Sequence, residues 1–215
     1  MQELVNVTAI VLSSTPVGEY DRRVVLLTKE RGKITAFAKG ARRQTSKLIA
    51  ATNLFAFGQF KLYPGRSSYT MTDAVIQNYF EELRVDFEGA YYGMFFLEVC
   101  DYYTRENNDE KEFLKLVYQS LKALLVKSLN RKLVQCIFEM KAMVINGEFP
   151  GMPSDGIWQE STVYAVSYIT NSSIEKLYTF TVSDTVLEEM IQIAERYRIR
   201  YIDREFKSLE MLSFV

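Results

Sequence analysis

The residues in this chain best suited to chemistry are cations. Within residues 21–47 there are nine Lys or Arg against two Asp or Glu. Arg22, Arg23, Lys33, Lys39, Arg42, Arg43 and Lys47 belong to that stretch, and Arg66 stands beyond it. Guanidinium and ammonium groups at this density suit a polyanion, because each one that neutralises a phosphate releases condensed counterion. The formal net charge of −1 hides the asymmetry: residues 1–80 carry eleven cations against five anions, and residues 81–215 carry fifteen against twenty-two. A basic first part on an acidic remainder points to nucleic-acid binding by the first part, with a merely solvated basic face as the competing reading. A secondary basic spot, Lys127, Arg131 and Lys132, lies in the acidic remainder.

Other chemistry is poorly provided for. There is no histidine, which removes Ser-His, Cys-His and His-metal arrangements together. Cys100 and Cys136 are too few and too far apart for a structural zinc site. Each sits among apolar residues at helical spacing, so both read as buried, inert thiols. No nucleotide-binding loop and no nucleophile–base pair is visible; the reading is a non-enzyme with no catalytic residue, cofactor or metal. Apolar residues make up 48% and charged residues 25%, an ordinary globular composition. No run of about 18 uncharged apolar residues exists to span a membrane. The opening MQELVNVTAIVLSS lacks the charge and cleavage site of a signal peptide, so a cytoplasmic location is expected.

The elements that must position these cations differ along the chain. Val5, Val7, Ala9 and Val11 alternate with more polar neighbours, as in a half-buried strand. Residues 23–28 and 33–38 form short β-branched runs joined by Lys-Glu-Arg-Gly, where Gly32 supplies the positive φ of a hairpin loop. Residues 54–63 and 68–80 make a second hairpin about Pro64-Gly65, a pair suited to a type II turn. ARRQTSKLIAATN, between the third and fourth strands, has room for a loop and a short helix. Five strands with a helix at that place is the order of an OB barrel, expected over residues 1–80.

From Glu81 the period becomes helical. Leu83, Phe87, Tyr91, Phe95 and Val99 recur every fourth residue, and residues 109–129 form an amphipathic helix. Residues 131–146 are apolar nearly all round, which predicts the central helix of a bundle, ended by Asn146-Gly147. Residues 163–169 and 177–182 read as two short strands able to pair. Ser183 or Asp184 caps a helix to about Arg198, with Thr185 and Glu188 as a rival capping box. Residues 203–212 form a last short helix. The expected fold is therefore α+β: a five-stranded OB barrel, then a mainly helical domain over 81–215 with a small β-like insertion.

One segment carries a more specific signal. GEYDRRVVLLTKERGKITAFAKGARRQTSKL, residues 18–48, resembles the N-terminal barrel of the RecO family. The resemblance runs through Glu19, Asp21-Arg22, Thr28, Gly32-Lys33, Ala38-Lys39-Gly40, Arg42-Arg43 and Ser46-Lys47. LYPGRSSYTMTDAVIQNYF resembles the family's second hairpin, YGMFFLEVCDYY its first long helix, and REFKSLEML its C-terminal helix. The resemblance implies an OB fold and a recombination mediator in DNA repair. Such a protein binds and anneals single- and double-stranded DNA, and acts with RecR and the C-terminal tail of the single-strand-binding protein to load RecA. Many members carry a four-cysteine zinc module; the equivalent stretch here, 147–182, has no cysteine, and Trp158, Tyr164, Tyr168 and Tyr178 are expected to supply its apolar mass.

The DNA-binding set read from the sequence is Arg22, Arg23, Lys33, Lys39, Arg42, Arg43, Lys47 and Arg66. Lys127, Arg131 and Lys132 either extend that track or receive an acidic tail. Phe37, Phe57, Tyr63 and Tyr69 are candidate stacking platforms, although most aromatics on alternating strands face a core. Gly40 permits a sharp turn, and Asp21 is a turn or ion-pair residue. The alternative functions are an OB module for structured RNA, because barrel chemistry does not choose between sugars, and a protein adaptor.

Overall fold

The computed structural model describes residues 3–214. Five strands, β1 (Val5–Val17), β2 (Asp21–Thr28), β3 (Gly32–Ala38), β4 (Phe57–Pro64) and β5 (Tyr69–Asn78), close into a barrel in the order β1-β2-β3-β5-β4. All neighbours are antiparallel except β3 and β5, which run parallel through Ala36–Tyr69 and Phe37–Thr70. This is the OB arrangement. Alternation decides which side chains enter: Val7, Ala9, Val11, Val24, Leu26, Ile34, Phe60 and Leu62 fill the interior. The segment joining β3 to β4 holds only a single 3-10 turn, Ala50–Thr52, where a short helix was expected. Thr52 donates its hydroxyl back to the carbonyls of Leu48 and Ile49, which closes that turn.

Two glycines test the turn expectations. Gly32 has φ +65°, and a Cβ there would meet the Arg105 carbonyl oxygen at 2.2 Å. The hairpin thus needs glycine both for its backbone and for the closeness of residues 105–108. Gly65 has no positive φ, so Pro64-Gly65 is not the centre of a type II turn. Its N–H donates to the Ser68 carbonyl (2.8 Å), which moves the turn to residues 65–68.

Among the described residues seven α-helices follow: α1 (Glu81–Val85), α2 (Phe87–Tyr103), α3 (Lys111–Leu124), α4 (Arg131–Ile145), α5 (Glu160–Asn171), α6 (Asp184–Tyr201) and α7 (Lys207–Leu212). The chain divides into two compact units, residues 1–85 with 97–114, and residues 86–96 with 115–215. In the first, the end of α2 and the segment after it lie on the β2–β3 hairpin: the Lys33 N–H donates to the Arg105 carbonyl (3.0 Å). In the second, α4 buries ten residues from Leu133 to Met143, as its all-round apolar sequence predicts, and Phe138 stacks on Phe96 at 4.2 Å. Ser183 is the N-cap of α6 and accepts from the Val186 N–H, so the rival capping box is not used. Of the pair after α4, only Gly147 is left-handed. Cys100 and Cys136 are buried free thiols, and burial pushes both well above the ordinary thiol range.

The expected hairpin at 163–182 is a correction. Residues 160–171 are the helix α5, and residues 174–176 form a 3-10 turn. Thr162, Ala165, Val166 and Ile169 are buried at the spacing of one helical face. Of the aromatics expected to fill this region, Trp158, Tyr168 and Tyr178 are partly buried and Tyr164 is exposed, while the fully buried apolar residues, Ile174 and Leu177 among them, are aliphatic. Neighbouring helices cap both ends of α5. Glu189 of α6 accepts from the Gln159 N–H (3.1 Å) and the Thr162 hydroxyl at the N-terminus. Lys141 of α4, itself buried, donates to the carbonyls of Ile169 (3.2 Å), Thr170 (3.1 Å) and Ser172 (2.7 Å) at the other end. A carboxylate at the N-terminus and an ammonium at the C-terminus both complement the helix dipole. Lys141→Met is therefore expected to cost about 2–3 kcal/mol by orphaning buried carbonyls, read in urea denaturation as a lower midpoint. An unchanged midpoint would remove Lys141 as the tie that holds α5.

Candidate nucleic-acid interface

The interior of the barrel takes Val24 and Leu26 from β2 and Ile34, Ala36 and Ala38 from β3. Alternation then turns Arg23, Thr35 and Phe37 to the outside. Register puts Arg23 opposite Thr15 on β1 and opposite Phe37 on β3, and Phe37 beside Thr70 on β5. Arg23 Nη2 lies 3.4 Å from the Thr35 hydroxyl. One end of the outer face thus presents a cation, a partly buried aromatic ring and hydroxyls in a single patch.

Next to it, the β1–β2 turn and the loop after β3 are tied together. The Asp21 carboxylate accepts the Gly40 N–H at 2.7 Å, and the Arg42 N–H donates to the Tyr20 carbonyl at 2.8 Å. Gly40 has φ +65°, which lets the chain reverse into this position. The Arg42 guanidinium donates to the carbonyls of Gly18 (3.2 Å) and Glu19 (3.1 Å). Arg43 lies over the Tyr20 ring, 4.8 Å from its centroid. Lys39, Arg42 and Arg43 are exposed at this corner, with Tyr20 42% exposed between them.

Two family models match this chain. Recombination protein O N terminal covers residues 1–80, and Recombination protein O C terminal covers residues 84–157. The chain belongs to the RecO family. A DNA repair protein RecO of Acetivibrio thermocellus is 25% identical, over 95% of this chain and 94% of that protein. Its counterpart in Alkaliphilus metalliredigens is 27% identical over 97% and 98%. A DNA repair protein RecO of Clostridium perfringens strain 13 is 25% identical over 99% and 98%. Family membership makes this a recombination protein of DNA repair.

Within that RecO framework the sequence-predicted cations separate. Arg23, Lys39, Arg42 and Arg43 gather at the corner and the adjoining face. Arg22 has the interior parity of Val24 and Ala38; its Nη1 donates to the Ser14 hydroxyl (3.0 Å), and its Nε is buried without a protein partner. Lys33 is at the far end of β3, paired with Asp101 at 3.1 Å. Lys47 is exposed but pairs with Asp73 at 2.8 Å; this contact first of all holds the Asp73 carboxyl below the ordinary range. Arg66 is exposed in the β4–β5 turn.

In the helical unit Lys127 and Lys132 are exposed, whereas Arg131 pairs with both Asp86 and Glu88. Burial works to raise the Asp86 carboxyl, but the Gly89 N–H and the Arg131 guanidinium outweigh it and hold it low. Among the described residues no group of three or more Cys, Asp or Glu is placed to hold a metal ion, and no helix is long and apolar enough to cross a membrane.

Of the proposed stacking residues, Phe37 faces outward, Tyr63 is exposed on β4, and Tyr69 has interior parity beside Ala36 with its hydroxyl near Arg31 (3.5 Å). Tyr20 escaped sequence reasoning, because its role rests on Arg43, distant in sequence. The one local signal was its place beside the turn residue Asp21. Asp21→Ala is expected to free the Gly40 N–H and loosen the corner without unfolding the barrel. Amide exchange at Gly40 and Arg42 should accelerate while β-strand amides keep their protection. Unchanged exchange at both positions would show that Asp21 does not hold the loop.

Proposed function

We propose that the protein is a DNA-binding recombination mediator that anneals complementary strands and, with RecR, helps load RecA onto coated single strands. The observation that carries this reading is the convergence of Arg23, Lys39, Arg42 and Arg43 at one end of the barrel. Backbone hydrogen bonds hold them there, so little ordering is needed when a phosphate chain arrives. Lys47 and Arg66 extend the track once Lys47 exchanges Asp73 for phosphate. Neutralising phosphates on two strands at once lowers their mutual repulsion, the physical requirement for annealing. Exposed Lys127 and Lys132 on the acidic helical unit suit the acidic tail of the single-strand-binding protein; Arg131, already paired with two carboxylates, contributes less.

The test is titration of the whole chain against single-stranded DNA, duplex DNA and RNA at several salt concentrations. With four phosphates held, log affinity for single strands should fall with log salt at a slope near −3, about −0.7 per contact. Arg43→Glu, whose side chain carries no backbone tie, should weaken binding by roughly tenfold or more and keep the melting temperature, since surface substitutions usually shift stability by under about 0.5 kcal/mol. Arg42→Glu should weaken binding and also loosen the corner, because its guanidinium holds two turn carbonyls. Lys127→Glu with Lys132→Glu should cost less. A salt slope near zero, or a helical variant that loses DNA while the barrel variants keep it, would move the site off the barrel. Tighter binding to RNA than to DNA would favour the RNA module instead.

A further inference from the structure

We infer that Phe37 and Tyr20 are base-stacking platforms, so that the ligand of this barrel face is a strand with unpaired bases. The inference rests on the DNA-binding reading above and adds which form of nucleic acid the face selects.

Three observations converge on it. First, Phe37 stands on the outside of β3 by register, although the barrel interior is filled without it by residues such as Phe60 and Leu62. The ring is partly buried there and is not among the residues that fill the barrel. Secondly, its neighbours across the strands are Arg23 and Thr70. The ring is therefore flanked by a cation for phosphate and a hydroxyl for sugar or base edges, and neither neighbour is a carboxylate. Thirdly, Tyr20 is 42% exposed, with the Arg43 guanidinium 4.8 Å from its centroid. A guanidinium over an aromatic ring, beside a fixed basic corner, is an arrangement onto which a base can stack while the cation meets the adjoining phosphate.

Base faces are hidden in a duplex and open in a single strand. A basic corner alone senses phosphate and does not distinguish the two. Rings gain contact only from unpaired bases. Phe37 and Tyr20 therefore set the preference for single strands, and the corner sets the salt-dependent part of the affinity.

The experiment measures binding of the full chain to an oligothymidine, to the same strand with abasic residues in place of thymidines, and to duplex DNA of equal length. The wild type should prefer the thymidine strand over the abasic strand by on the order of tenfold, since stacking on one ring is worth about that factor per base. Phe37→Leu and Tyr20→Leu, which keep apolar bulk and lose the aromatic face, should each remove most of their share of that preference. Binding to abasic and duplex DNA should fall much less than binding to the thymidine strand, and the salt slope and the melting temperature should stay as in the wild type. Phe37→Tyr should restore the preference, which a purely structural role would not require. Equal binding of wild type to thymidine and abasic strands, or variants that bind all three ligands like wild type, would overturn stacking and leave the basic-corner reading standing. Variants that lose affinity equally for all three would overturn it as well. If the wild type binds none of the three, the DNA-binding reading falls, and stacking with it.

Discussion

The hydrogen bond from the Gly40 N–H to the Asp21 carboxylate is the constraint on which the basic corner depends. Lys39, Arg42 and Arg43 carry like charges within five residues of a loop, and left to themselves they would spread apart. The carboxylate fixes the turn of the loop, and the Arg42 N–H then meets the Tyr20 carbonyl. Arg42 spends its guanidinium on two carbonyls of the opposite turn, which offsets part of the repulsion and positions Arg43 over Tyr20. The closed barrel beneath supplies rigidity. Its order brings the end of β3 beside the start of β2, so that two loops distant in sequence share one corner.

Cations in this protein do two kinds of work, and composition alone does not separate them. Lys33 faces Asp101, Arg131 faces Asp86 and Glu88, and buried Lys141 faces the last carbonyls of α5. These positive charges are matched by protein groups and have little left for a phosphate. At the corner Arg42 meets carbonyl dipoles and Arg43 an aromatic ring, which leave the charge uncancelled. The distinction rests on what each cation touches.

The stretch between α4 and α6 shows the same economy in the helical unit. In this cysteine-free stretch the chain holds α5 between a glutamate of one neighbouring helix and a lysine of another. The ends of a short helix carry unsatisfied N–H and carbonyl groups. Meeting them with charges fixed on α4 and α6 ties three helices together. Buried Glu139 adds an ion pair with Arg198, between α4 and α6, at 2.8 Å.

Much of this was legible in the residues themselves. Period-two alternation marks the strands, the need for a left-handed residue marks Gly32 and Gly40, and α4 announces its burial by being apolar nearly all round. These features are local: each follows from the backbone geometry of one element or from the removal of its side chains from water. What the tertiary structure alone decided is non-local. Lys33 meets Asp101 across 68 residues, and Arg131 meets Asp86 across 45, so the sequence shows a cation and cannot show that it is already matched. Residues 163–169, rich in β-branched and aromatic types, read as a strand because the groups that cap them as a helix belong to α4 and α6. Tyr20 and Phe37 gain their place only when the barrel closes, because alternation tells which residues share a side and only strand pairing tells which side faces out.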